Sequence, residues 1–185
     1  MNIIETKIPG LKLIEPVIYC DERGLFFESY NLGELQKHEL NQIYVQDNHS
    51  LSFNAGVLRG LHYQLHPKAQ TKLVRVIAGA VYDVVVDIRK GSPTFGKWQA
   101  FILSAENKRQ LIVPKGCAHG FCTLVPKTEV HYKVDEFYSP EHERGIAWND
   151  PLLDIDWPTS CPILSEKDSK HPMFADAEYN FEFEG

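Results

Sequence analysis

The sequence predicts an all-β chain, an antiparallel sandwich or barrel with a few short helices. Three observations predict it. Short runs of β-branched, aromatic and aliphatic residues recur along most of the chain. Turn residues separate them at strand-length intervals, with 12 glycines and 11 prolines spread evenly. Helical periods are scarce, which disfavours alternating strands and helices.

In chain order, strands are expected over residues 11–14, where Leu11, Leu13 and Ile14 cluster, and over 25–30, which holds Leu25, Phe26, Phe27 and Tyr30. They continue over 43–48, 57–65, 72–77 and 81–88, the last built on Val81, Val84, Val85 and Val86. Further strands are expected over 98–103, 110–113, 119–124 and 129–134. Asn54-Ala55-Gly56, Ala78-Gly79-Ala80 and Lys90-Gly91-Ser92-Pro93 supply turn chemistry between them. A helix is expected over 31–40, with Leu32, Leu35 and Leu40 on one side, and a second short one after Ser165. No repeat, low-complexity tract or linker divides the chain.

The 185 residues are 43% hydrophobic and 24% charged, the composition of one globular domain that buries roughly 70% of its unfolded surface. Disorder, collagen and coiled coil are excluded. No run approaches the ~18 apolar residues of a membrane helix. Met1 to Lys7 has neither a basic start nor a long apolar stretch, so no signal peptide and a cytoplasmic location are expected. The formal net charge of −6 argues against a nucleic-acid groove as the main function, because phosphate backbones select basic fields. A local arginine cluster for one small anion stays open. Cys20, Cys117, Cys122 and Cys161 form no C-x-x-C and read as reduced thiols.

Strand parity sorts the polar residues. In Val130-His131-Tyr132-Lys133-Val134, Tyr132 shares the inward face with two valines, while His131 and Lys133 face out. Asp83 and Asp87 share a face with Val81 and Val85, so that face is solvated or an aspartate is buried with a partner. In Gly56-Val57-Leu58-Arg59-Gly60-Leu61-His62-Tyr63-Gln64, His62 falls with Leu58, Gly60 and Gln64, an inward face with room for a ligand. The plain alternative is a hydrogen-bonded core histidine.

Pro114-Lys115-Gly116-Cys117-Ala118-His119 matches P-x-G-x-x-H, the second half of the signature of cupins, small double-stranded β-helix barrels. The first half normally offers H-x-H and then Glu as metal ligands. Here Gln64 replaces the second histidine, and His66, Pro67 and Lys68 stand where the Glu is sought. Two histidines are too few for a stable divalent site, so no metal is expected. His62 is then free to move protons, since an unperturbed imidazole titrates near ~6.5. It needs a carboxylate to set its tautomer. Asp83, Asp87 and Asp168 are all candidates. Tyr132 is a proton donor by chemistry, and Lys72 suits an oxyanion. The charged segment from Tyr138 to Ile146 reads on charge alone as a solvated loop, and the segment from Leu164 to Asp168 as a cap with Asp168 exposed.

Taken together and in order, these segments resemble the dTDP-4-dehydrorhamnose 3,5-epimerase family. The matching pieces are 56–64, Lys72-Leu73-Val74-Arg75-Val76, 83–89 followed by Gly91-Ser92-Pro93-Thr94-Phe95-Gly96, then 114–121, 138–146 and 164–168. The resemblance implies a cupin-type jelly-roll barrel in a single domain, residues 1–185. Its barrel core would cover about 43–135, with the N-terminal strands and the C-terminal segment packed on it. It implies a dTDP-linked 4-keto-6-deoxy sugar as substrate, neither metal nor nicotinamide, and a homodimer. His62 matches the family's base, Tyr132 the acid and Asp168 the carboxylate behind the histidine. Lys72 and His119 would stabilise the enolate oxygen. Substrate contacts fall on Arg23, Glu28, Gln46, Asp47, Asn48, Arg59, Glu143 and Lys167, with Phe26 and Tyr138 as stacking surfaces for thymine. Arg23 and Arg59 suit the diphosphate, and Arg23 and Glu28 would serve the neighbour's site.

One tension follows. Arg59 and His62 lie three positions apart, on opposite faces of a regular strand, yet both are expected in one pocket. A bulge or strong twist at Gly60 resolves it. The competing readings are an epimerase acting at one carbon only, a metal-dependent cupin, and a sugar-binding module without catalysis.

Overall fold

The computed structural model describes residues 1–183, and the last two positions of the expected 1–185 domain lie outside the described residues. In chain order it contains β1 (Asn2–Glu5), β2 (Lys12–Glu15), β3 (Tyr19–Asp21), β4 (Gly24–Phe26), α1 (Leu32–Gln36), β5 (Gln46–Ser52), β6 (Leu58–Gln64), β7 (Lys72–Ala78), β8 (Ala80–Asp87), β9 (Trp98–Ser104), β10 (Gln110–Val113), β11 (Cys117–Thr123), β12 (Thr128–Val134), β13 (Glu143–Gly145) and a 3-10 turn at Asp168–Lys170. A six-stranded sheet runs β1-β2-β10-β7-β12-β5 and faces a five-stranded sheet, β13-β6-β11-β8-β9. All pairings between these strands are antiparallel, and β3 and β4 form a separate hairpin. This is the jelly-roll layout that the turn-punctuated short strands predict.

β8 shows how sequence pattern becomes layering. Its alternate residues Val81 and Val85 pack into the lumen with Leu103, Leu111, Val74 and Val130. Val84 and Val86 face the other way, into a second core with Leu61, Ile146, Leu153 and Phe181. The C-terminal segment thus covers the outer face of the five-stranded sheet, and a strand buried on both faces needs an almost unbroken apolar run. Each of these wholly buried side chains contributes roughly 1.5–3 kcal/mol. A third cluster sets Leu35 of α1 and Leu40 against Ile14, Leu73 and Ile112.

Three elements depart from expectation, the first being the strand expected over 25–30, which ends at Phe26 in β4. α1 is shorter than residues 31–40. Asn31 caps it by accepting from the Glu34 amide at 3.2 Å. Glu39, at φ +62°, closes it, with the Leu40 amide bonding back to the Leu35 carbonyl at 3.1 Å. The strand expected over 43–48 starts at Gln46 and runs to Ser52, with Ile43 and Val45 left exposed before it. Its inward positions are Gln46, Asn48, Ser50 and Ser52, so polar residues line the lumen there and the apolar signal fails.

Strands β1, β3 and β13 have no counterpart among the expected elements. β13 is the consequential one. The segment that reads on charge as a solvated loop pairs with β6, Glu143 opposite Gln64 and Gly145 opposite His62.

Candidate active site

The inward faces that carry the lumen core also carry Lys72, Asp83, His119 and Tyr132. β6 and β11 bring His62 and His119 directly opposite each other. The next paired residues are Arg59 and Phe121, so β6 has one residue more than β11 in this interval. That is the bulge expected at Gly60. Gly60 has φ +130°, and a Cβ there would lie 2.5 Å from the Gly120 Cα. Only glycine fits such a backbone approach. The bulge turns Arg59 and His62 into the same recess, which they line with Ser50, Lys72, His119, Phe121, Tyr132, Glu143, Lys167 and Asp168 around about 290 Å³. An adjoining recess of about 350 Å³ shares His62, Lys72, Tyr132 and Glu143 and adds Gln46, Asn48, Gln70 and Tyr138.

His62 Nε2 lies 2.5 Å from Asp168 Oδ1, which decides among the three candidate carboxylates. Asp168 is 5% exposed, against the expectation of an exposed cap residue, because the 3-10 turn folds it inward. Ser165 Oγ accepts from its amide at 3.0 Å. Burial alone would raise this carboxyl, but His171, His62 and Ser165 around it hold it well below the usual carboxylate range. An ionised carboxylate only accepts, so His62 donates through Nε2 and keeps a lone pair on Nδ1. Burial pushes the His62 imidazolium down in pKa, against the pull of Asp168, so the neutral ring is favoured.

The other two aspartates are occupied. Asp83 meets His119 Nε2 at 2.9 and 3.0 Å, both side chains buried. Asp87 accepts from Arg89, Ser92 and Thr94 at the barrel's turn. The face holding Asp83 and Asp87 is therefore buried with partners, not solvated.

Lys72 is buried on β7, with Nζ 3.4 Å from the His62 carbonyl. Burial pulls its pKa down to about 8, with Asp83 and Glu143 opposing, so the ammonium is still mostly charged at pH 7. Burial and the Glu143 charge push the Tyr132 hydroxyl up, so it keeps its proton. Glu143 accepts from Tyr138 Oη at 2.5 Å and pairs with Lys167. Burial would raise Glu143, but these two partners hold it low. Gln64, in the place of a cupin ligand, secures a loop instead: it donates to Lys68 and Phe137 carbonyls and accepts from the Ser139 amide.

Three expected contacts lie elsewhere in this chain. Arg23 and Phe26 line a hollow of about 470 Å³ at the β3–β4 hairpin, which holds no histidine. Glu28 accepts from Asn31 at 3.1 Å and lines a separate hollow with Glu34. A fourth, Asp47, is a correction. β5 alternation puts it on the outer sheet face, half exposed and bound to Lys133 at 2.8 Å, while Gln46 and Asn48 face the recess.

Sequence reasoning misses His171. Its side chain is largely covered, its Nε2 lies 3.3 Å from Asp168 Oδ1, and its ring meets that of His62 edge-on at 5.4 Å. The spacing Asp168-x-x-His171 is the available signal, since i and i+3 eclipse in a 3-10 turn. His62, Asp168 and His171 bring donor atoms within 4.8 Å of one another, the grouping among the described residues with metal-ligand chemistry. His62 is hydrogen-bonded to Asp168, and His171 lies 3.3 Å from the same oxygen without a well-aligned hydrogen bond.

The description of the family model that matches residues 5–176 is dTDP-4-dehydrorhamnose 3,5-epimerase. The chain belongs to this family. It is 54% identical over 180 residues to the dTDP-4-dehydrorhamnose 3,5-epimerase of Shigella flexneri, covering 97% of this chain and 99% of that one. Among solved structures it is similar to the Bacillus anthracis enzyme with TDP and PPi bound: TM-score 0.92, 56% identity, 93% of this chain and 98% of that one. The Legionella pneumophila enzyme in complex with dTDP-4-keto-L-rhamnose gives a TM-score of 0.88 at 51% identity, over 93% and 92% of the two chains. The family resemblance drawn from the ordered motifs is borne out, and with it the jelly-roll fold and the isomerase class. No helix among the described residues is long and apolar enough to cross a membrane.

Proposed function

We propose that this chain epimerises a dTDP-linked 4-keto-6-deoxyhexose at C3 and C5, with His62 as base and Tyr132 as acid. The observation that carries the reading is the 2.5 Å bond from His62 to Asp168 at a recess also lined by Tyr132 and Lys72. The C4 ketone acidifies the hydrogens on both neighbouring carbons. Nδ1 of His62 takes one of them, and the electron pair moves onto the carbonyl oxygen as an enolate. The Lys72 ammonium, with His119 beside it, offsets that charge where it develops. Tyr132 returns a proton from the opposite face, and the centre is inverted. Asp168 stays ionised throughout, which keeps Nδ1 the basic nitrogen and steadies the imidazolium once formed. Arg59, Glu143, Lys167, Gln46, Asn48 and Tyr138 hold the nucleotide sugar, Arg59 through a guanidinium fork on the diphosphate.

In this reading the enzyme is a homodimer working in the cytoplasm. Its four cysteines are free, as suits a reducing compartment. The β3–β4 hairpin leaves Tyr19, Leu25 and Phe26 exposed, and a second copy is the partner such a patch fits. Arg23, Phe26 and Glu28 then complete the neighbour's recess. Co-expressed Arg23→Ala and His62→Ala chains, each inactive alone, should recover activity in mixed dimers; no recovery removes the hairpin from the neighbour's site. The central test is NMR of the 4-keto sugar nucleotide with enzyme in heavy water. Deuterium should enter at C3 and C5. Entry at one carbon makes the chain a mono-epimerase, and binding without entry makes it a sugar-nucleotide receptor.

A further inference from the structure

His171 is an unusual residue to find beside a base. Its side chain is 8% exposed, and its Nε2 approaches the same Asp168 oxygen that His62 uses, at 3.3 Å against 2.5 Å. That Nε2 is buried yet has no well-aligned hydrogen-bond partner. Leaving a buried imidazole nitrogen this way is unfavourable, so packing must hold it there. The packing is visible. A Cβ on Gly145 would meet the His171 ring at 2.4 Å, so β13 offers a bare backbone against which the ring lies flush. The two imidazoles meet edge-on, 80° apart. The 3-10 turn and the glycine together aim His171 at Asp168.

We propose that His171 is a positioning residue that shares the Asp168 carboxylate with His62 and so keeps the His62 ring neutral and able to accept a proton. A carboxylate divided between two imidazoles offers each less than its full field. When His62 takes the substrate hydrogen, the imidazolium is then less deeply trapped and releases its proton more readily. The base would be tuned twice, by burial and by competition for its own partner. The inference rests on His62 being the base. The other charged or titratable groups facing His62 are Lys72 on β7, Glu143 on β13, His119 on β11, Tyr132 on β12, Arg59 on β6 and Lys167 before the 3-10 turn. None of them changes when His171 does.

The test is a histidine NMR titration of full-length protein, wild type against His171→Phe and His171→Gln. Phe keeps a flat ring against Gly145 and removes both nitrogens. Gln keeps an N–H donor toward Asp168 without an imidazole, and serves if the Phe protein does not fold. The His62 midpoint should rise by about one pH unit in the Phe protein and by less in the Gln protein. The acid limb of the pH profile for deuterium incorporation should move up with it, with KM little changed. An unmoved or lowered His62 midpoint in both variants overturns the proposal. Because the titration needs no turnover, it stays separate from the base assignment, which fails if His62→Ala still exchanges deuterium.

Discussion

Two of the histidine–aspartate pairs among the described residues draw their histidines from the neighbouring strands β6 and β11, and they are not equivalent. His119 and Asp83 come from β11 and β8, and both are buried. His62 takes its carboxylate from the C-terminal segment, 106 residues away, and its side chain is 30% exposed to the recess. The first pair is buried between strands, with His119 in the recess wall. The second sits at a boundary, with Nε2 on a buried anion and no hydrogen bond to Nδ1 among the described residues. On the proposed reading, the difference teaches that His62 serves as base through its greater exposure to the recess, not through having a carboxylate, which His119 has too.

The sharpest way to break this comparison is to delete each histidine. His62→Ala should lower deuterium exchange at both carbons by about 1,000-fold or more with the melting temperature little changed. His119→Ala should leave exchange within about 100-fold of wild type but cost about 3–5 kcal/mol in denaturant unfolding, because Asp83 is left buried and unpaired. Equal losses of exchange from both would erase the distinction.

Lys72 lies between the pairs and separates activity from stability. Its pKa is lowered on folding, so the folded chain disfavours its charge, and the cost is fully present below about pH 8 and fades as pH rises toward 10.5. Lys72→Met should slow turnover about 100-fold, more in kcat than in KM, while raising unfolding stability at pH 7 by up to about 3 kcal/mol. A methionine variant that is both slower and less stable would make Lys72 a packing residue.

The smallest effect sharpens the boundary pair. Its neighbours hold the Asp168 carboxyl below the usual carboxylate range, so its contribution is complete above about pH 4 and is lost as pH falls further. Asp168→Asn should melt roughly 4 °C below wild type at pH 7, and the gap should close as the medium becomes strongly acidic. A gap that persists in acid would mean that shape, not charge, binds the carboxylate.

Where local pattern and fold agree, the chain is readable. Residues 110–113 match their observed bounds, and 72–77, 98–103 and 129–134 come within a residue, because their faces are apolar where the lumen is apolar. β5 escapes in part because its inward face is polar, and it is polar because it lines the recess. β13 reads as a loop for the same reason: charge masks a strand when the charges belong to a site. Asp47 misleads through its neighbours, since Gln46 and Asn48 face the recess and strict alternation turns Asp47 away. Parity does foresee the inward Tyr132 and the need for irregularity at Gly60.

By itself the sequence determined the barrel, the inward tyrosine and histidines, and the family, because alternation and ordered motifs are local and survive without coordinates. Only the tertiary structure put Asp168 against His62 in space, set His171 beside that aspartate, and decided which side of the sheet each carboxylate occupies. Those are contacts between segments far apart in the chain, and no periodicity within either segment encodes the distance between them.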